Sequence, residues 1–123
     1  MADADKRPRA WVGHVFLESQ DVDATETFLR EAIGIRPIFK DDAMAVMELR
    51  GGTHIVLRQA DGEHEAGFDL MVEDLEALHR DLAQAGHGPS PIEAGRIHRS
   101  FEVTDPGGLR LRFNSSHVGQ RVV

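Results

Sequence analysis

Residues 12–34, VGHVFLESQDVDATETFLREAIG, run from an alternating apolar stretch through an Asp-Val step into an amphipathic helix stopped by glycine. In the strand portion Val12, His14, Phe16 and Glu18 share one face, and Gly13, Val15 and Leu17 share the other. Asp21 stands where an N-cap carboxylate accepts a bond from the free amides of a first turn. Val22, Phe28, Leu29, Ala32 and Ile33 then recur at helical spacing up to Gly34. The same punctuation returns at 67–86, GFDLMVEDLEALHRDLAQAG. His14 aligns with Gly67, Asp21 with Asp74, Val22 with Leu75 and Ala24 with Ala77, and one deletion brings Gly34 onto Gly86. The ends of the two halves match as well: LRGGTHIVLR (49–58) lies over DPGGLRLRFN (105–114). Such a repeat fixes an architecture before any single motif does, because each copy is one supersecondary unit.

Composition bounds the rest. The 123 residues suffice for one compact domain with a core, and 41% hydrophobic with 28% charged residues is ordinary for a soluble globular protein. The absence of cysteine removes disulfides, thiolate nucleophiles and cysteine-ligated zinc. No apolar stretch approaches the roughly 20 residues that span a bilayer, and no signal-peptide pattern is present, so a cytoplasmic protein without a membrane partner is expected. A net charge of −7 argues against nucleic acid as a partner, which needs clustered Lys and Arg. It fits a cationic ligand or plain solubility.

Outward from the repeat, residues 1–10 (MADADKRPRA) have no period and are expected to be a mobile tail. A short strand at 35–40 contains Pro37, which confines it to an edge or makes it irregular. Asp41-Asp42 and Gly51-Gly52 turn the chain into strands at 43–49 and 53–59. The acidic stretch 60–65, ADGEHE, reads as a linker with His64 in solvent. Asp74 caps a second helix that buries Leu75, Leu78, Leu82 and Ala85, with His79 on its exposed surface. A Gly/Pro loop follows at 86–91, then a poor strand from Ile92. Strands at 98–104 and 109–114 flank the DPGG turn, and 115–123 is a C-terminal tail. The expected fold class is α+β: two modules of strand, helix and three strands, at 11–59 and 66–114. Val15, Leu17, Ile55, Leu57, Phe68, Leu70, Val72, Leu111 and Phe113 face the helices as the candidate core. The opposite faces carry His14, His54, Arg58, Asp69, Arg110, Arg112 and Asn114 beside Phe16, Val56 and Met71, which marks solvent or a site.

The stretches HVFLESQDVDATETFLREAIG, FDLMVEDLEALHRDLAQAG and RSFEVTDPGGLRLRF occur in order, and over 11–114 they resemble the vicinal oxygen chelate superfamily. That superfamily includes glyoxalase I, extradiol dioxygenases, fosfomycin resistance proteins and bleomycin-binding resistance proteins. The resemblance implies paired βαβββ modules whose sheets curl into an open cup, commonly paired across a homodimer. It also implies that metal-dependent members hold a divalent ion from the first and last strands of the modules. Those positions fall here on His14, Val56, Gly67 and Arg112. Only His14 is a ligand type. Valine and glycine offer no donor atom, and arginine is a permanent cation where the enzymes commonly carry glutamate. A catalytic divalent site needs about three protein ligands and an open position.

Three alternatives therefore stand. The chain binds a small organic ligand without chemistry, using His14, Phe16, His54, Val56, Asp69, Met71, Arg110 and Arg112. Alternatively it is a metal-dependent lyase or dioxygenase using a shifted triad of His14, His54 and Asp69, the two-histidine-one-carboxylate set that suits iron or another transition ion. In the third, it is a dimeric regulatory module with a vestigial cup. Arg112 has two roles open to it: an ion pair with Asp69, or a planar fork on a ligand carboxylate or phosphate. His87, His98 and His117 fall in loops or strand ends. No nucleophile elbow or phosphate loop is present.

Overall fold

The computed structural model describes residues 6–116, so His117 lies outside the described residues. The first module contains β1 (His14–Ser19), α1 (Val22–Phe28), β2 (Arg36–Lys40), β3 (Met44–Glu48) and β4 (His54–Gln59). The second contains β5 (His64–Val72), α2 (Leu75–Gln84), β6 (Glu93–Ala94), β7 (Arg99–Thr104) and β8 (Leu109–Ser115). Each module is one four-stranded sheet, ordered β1-β4-β3-β2 and β5-β8-β7-β6, in which the first strand, β1 or β5, runs parallel to its neighbour at one edge. The α+β architecture of two βαβββ modules follows the repeat, and the two sheets do not close into a barrel.

Local chemistry places the elements. Asp21 accepts from Ala24 N at 3.0 Å and Asp74 from Ala77 N at 3.0 Å, so both helices start at the expected caps. The first helix differs from expectation at its end. After Phe28 the chain widens into one π turn, Leu29–Ile33, before Gly34 closes it at φ 81°. Leu29 is fully buried there, so the wider turn keeps an apolar side chain in the core. β5 begins at His64, so the last two residues of the acidic 60–65 stretch are strand. His64 is half-buried rather than solvated, with Nε2 2.8 Å from the Asp61 carbonyl. β2 is an outer strand as Pro37 requires, and its register slips between Pro37 and Phe39. One core runs through both modules and joins Leu17, Phe28, Ile55 and Leu57 to Leu70, Leu82, Phe101 and Phe113.

The modules meet at two corners that the repeat makes equivalent. At one, Ser19 and Thr25 are fully buried and their hydroxyls lie 2.7 Å apart. Ser19 Oγ donates to the Gly107 carbonyl at 3.2 Å and accepts from Asp21 N at 3.0 Å. Its single proton is thus committed, and Thr25 must donate to it. At the other corner Glu73 and Arg50 stand in the places of Gln20 and Pro106, and form an exposed ion pair at 2.7 Å.

The corners predict opposite reasons for two glycines. A Cβ on Gly107 would overlap Ser19 Oγ and Thr25 Oγ1. At Gly51 a Cβ meets nothing within 4 Å, but φ is +86°. Gly107→Ala should cost about 3 kcal/mol through overpacking and broken buried bonds. Gly51→Ala should cost about 1 kcal/mol of backbone strain. Urea unfolding of both variants checks this, and equal losses would remove the distinction between the corners.

Candidate functional site

Register decides what the helix-free face of each sheet presents. On the first sheet Phe16 sits beside Val56, Val56 beside Val46, and Val46 beside Phe39. This apolar row crosses four strands, a span of about 14 Å at the usual strand spacing. Its ends are open, with Phe16 58% and Phe39 49% exposed, while Val56 in the middle is only 7% exposed. The repeat maps Phe16 onto Asp69, Val56 onto Arg112 and Val46 onto Glu102. In the second sheet those three are again register neighbours. The same row is thus hydrocarbon in one module and ionic in the other.

Polar and charged side chains border the apolar row. On one side lie His14, His54, Glu48 and Arg36, again in register. The His14 and His54 rings meet edge to face at 5.5 Å, and Glu48 lies 3.6 Å from His54 Nε2 and 3.0 Å from Arg36. On the other side the Arg58 guanidinium stacks 4.5 Å over the Phe16 ring. Where the sheets abut, Phe16, Glu18 and Arg58 share a cavity of about 170 Å³ with His64 and Glu65.

Arg112 does not make the expected ion pair with Asp69. It pairs with Glu102 at 2.8 Å instead of with Asp69, which acts on it only through space. Arg110 is held between Glu65 at 3.1 Å and Glu102 at 3.7 Å. Glu102 was not among the residues the sequence pointed to, because strand periodicity does not give the register that sets it beside Arg112. Phe39 escaped for a related reason, since the slip after Pro37 resets the alternation of β2. His79 corrects another expectation: it is half-buried, with Nε2 2.8 Å from the Ser90 carbonyl and its ring against Phe101. His87 packs on Phe28, and His98 Nδ1 lies 2.6 Å from the Ser115 carbonyl.

No protein-family model matches the chain, and no curated protein sequence does. Solved structures do. Lactoylglutathione lyase from Agrobacterium tumefaciens superposes with a TM-score of 0.76 at 15% identity, over 91% of this chain and 98% of that one. A glyoxalase/bleomycin resistance protein/dioxygenase superfamily member from Sphaerobacter thermophilus DSM 20745 gives 0.75 at 16%, over 87% and 98%. The chain has the glyoxalase/bleomycin-resistance/dioxygenase fold. The bleomycin-binding protein of bleomycin-producing Streptomyces verticillus, solved with copper(II)-bleomycin, shares it at 22% identity and a TM-score of 0.66, over 89% and 99%.

Within this fold the positions expected to hold a divalent ion do not fit one here. Val56 presents buried hydrocarbon, Gly67 has no side chain, and Arg112 presents a cation already bonded to Glu102. His14 and His54 are brought together across β1 and β4, whereas Asp69 lies on the second sheet beside Arg112. Among the described residues no three of His, Asp and Glu are grouped so as to hold a metal ion. No helix among them is long and apolar enough to cross a membrane.

The ionic row carries a pH signature. The Arg112 hydrogen bond holds the Glu102 carboxyl below its ordinary value, with the charges of Arg112 and Arg110 adding to it against desolvation. A depressed folded pKa stabilises the fold above the unfolded value, and that contribution is lost as pH falls through the folded value. The effect is small because the pair faces solvent. Glu102→Gln should therefore lower the urea midpoint slightly at about pH 7 and lose less than wild type on going to about pH 3. Parallel declines for both proteins would contradict it.

Proposed function

We propose that the chain binds a small organic molecule with a flat apolar body on the helix-free face of the first sheet, and sequesters it without transforming it. The observation that carries this reading is the row Phe16, Val56, Val46, Phe39, with a half-exposed aromatic ring at each end. Covering the exposed part of each ring is worth roughly 1 kcal/mol, and offset stacking on a ligand ring adds about 0.5–1.5 kcal/mol. Arg58 already covers one side of Phe16, so that ring is held in place for a planar partner. His14, His54, Asp69, Met71, Arg110 and Arg112 are the polar and thioether walls of the same site. The arginines contribute through balanced ion pairs, so an anionic ligand would first have to displace Glu65 or Glu102. A second copy of the chain, in a homodimer, closes the open side. The bleomycin-binding protein with this fold, solved with copper(II)-bleomycin, supports binding of an organic ligand as a use for such a fold.

A second reading, a metal-dependent lyase or dioxygenase, draws on the His14–His54 ring contact at 5.5 Å. Its carboxylate would be Asp69 of the second sheet, Glu48 beside His54 being paired with Arg36. It predicts stoichiometric iron, manganese, zinc or nickel that is lost in His14→Ala and in His54→Ala.

Calorimetric titration with acridine orange and with copper(II)-bleomycin tests the first reading. At least one should bind, and Phe16→Ser and Phe39→Ser should each weaken it about tenfold, equivalent to about 1.4 kcal/mol. The urea midpoints should barely move, because both rings are half-exposed. An affinity indifferent to both substitutions, or no binding of either compound, would count against it.

A further inference from the structure

The chain is acidic overall, yet Lys6, Arg7 and Arg9 fall within four residues just ahead of Trp11. The fold brings this arm against the turn between β3 and β4. Thr53 Oγ1 donates to the Val12 carbonyl at 2.5 Å, and His54 N donates to the Gly13 carbonyl at 2.8 Å, which pins the chain immediately after Trp11. Between arm and turn lies an open cavity of about 790 Å³, with Arg7, Arg9, Trp11, Arg50, Gly51 and Thr53 in its wall. Trp11 is 73% exposed, an unusual position for an indole in a folded chain.

We propose that this cavity is a second ligand site, for a planar aromatic molecule that carries phosphate, of the mononucleotide class. Guanidinium forks match phosphate oxygens two at a time, and three arginines, Arg7, Arg9 and Arg50, line this cavity. The indole supplies a face on which a base stacks whatever its sequence identity. Gly51 has open space where a Cβ would stand, so the turn leaves room for a ring or a phosphate. Arg50 is already paired with Glu73 at 2.7 Å, but both side chains face solvent, and an exposed pair yields readily to a doubly charged anion. The net charge of −7 on the whole chain repels an extended polyanion, which favours a single nucleotide over nucleic acid. None of these residues belongs to the apolar row, so this site and the sheet-face site stand or fall separately.

Trp11 is the only tryptophan of the chain, so intrinsic fluorescence reports this cavity directly. Titration of the full chain with AMP and ATP should change that fluorescence saturably, ATP binding more tightly and losing affinity with added salt. Adenosine should bind about tenfold more weakly than AMP, and Arg9→Ala and Arg50→Ala should each weaken ATP about tenfold. Circular dichroism should find both variants folded, since the two arginines are exposed. Phe16→Ser should leave the ATP titration unchanged. No saturable response to ATP, or wild-type affinity for ATP in both arginine variants, would overturn the proposal. A single-stranded oligonucleotide bound more tightly than ATP would replace it with a nucleic-acid surface.

Discussion

Everything on the open faces depends on the buried hydroxyl pair at the corner between modules. Ser19 and Thr25 spend their hydrogen-bonding capacity on one another, on Asp21 N and on the Gly107 carbonyl. Gln20 N and His64 N extend the contact to the carbonyls of Gly107 and Gly108, at 3.2 Å and 3.1 Å. Buried polar groups that satisfy one another fix a single geometry, because any slippage leaves a desolvated donor or acceptor unpaired. The neighbouring Asp105 shows how tight the corner is. Its Oδ1 accepts from Leu109 N at 2.8 Å, while its buried Oδ2 has no partner among the described residues. With β1 and β5 held by this corner, Phe16 and Glu65 reach the same cavity from different sheets.

The two copies of the repeat have diverged along one line. Both keep their capping aspartate, their helix-closing glycine and a first strand that runs parallel to the last. They part at the row facing away from the helices, where Phe16, Val56 and Val46 answer to Asp69, Arg112 and Glu102. A fold that offers two equivalent faces has here made one suited to an apolar body and filled the other with charges that neutralise each other.

Much of the fold was legible in the sequence. Alternation gave the faces of β1, β4, β5 and β8, the caps gave the helix starts, and the repeat joined them into two modules. Less of the candidate site was legible, because a site depends on which strands lie side by side and in what register. Alternation put Arg112 and Asp69 on one face, and Glu102 then took Arg112 from the strand on its other side. Phe39 lay hidden behind the slip at Pro37. The arm at 7–11 has no period at all, so nothing in the sequence tied Trp11 to the turn that carries Arg50.

The central claim is that the apolar row of the first sheet is where a ligand sits. Methyl-resolved NMR of the valines during addition of acridine orange tests it most directly. The account predicts shifts at Val46 and Val56, with little change at Val15 and Val22 on the helix side of the same sheet. Shifts confined to the helix side, or spread over Val72 and Val103 of the second module while Val46 and Val56 stay still, would contradict it.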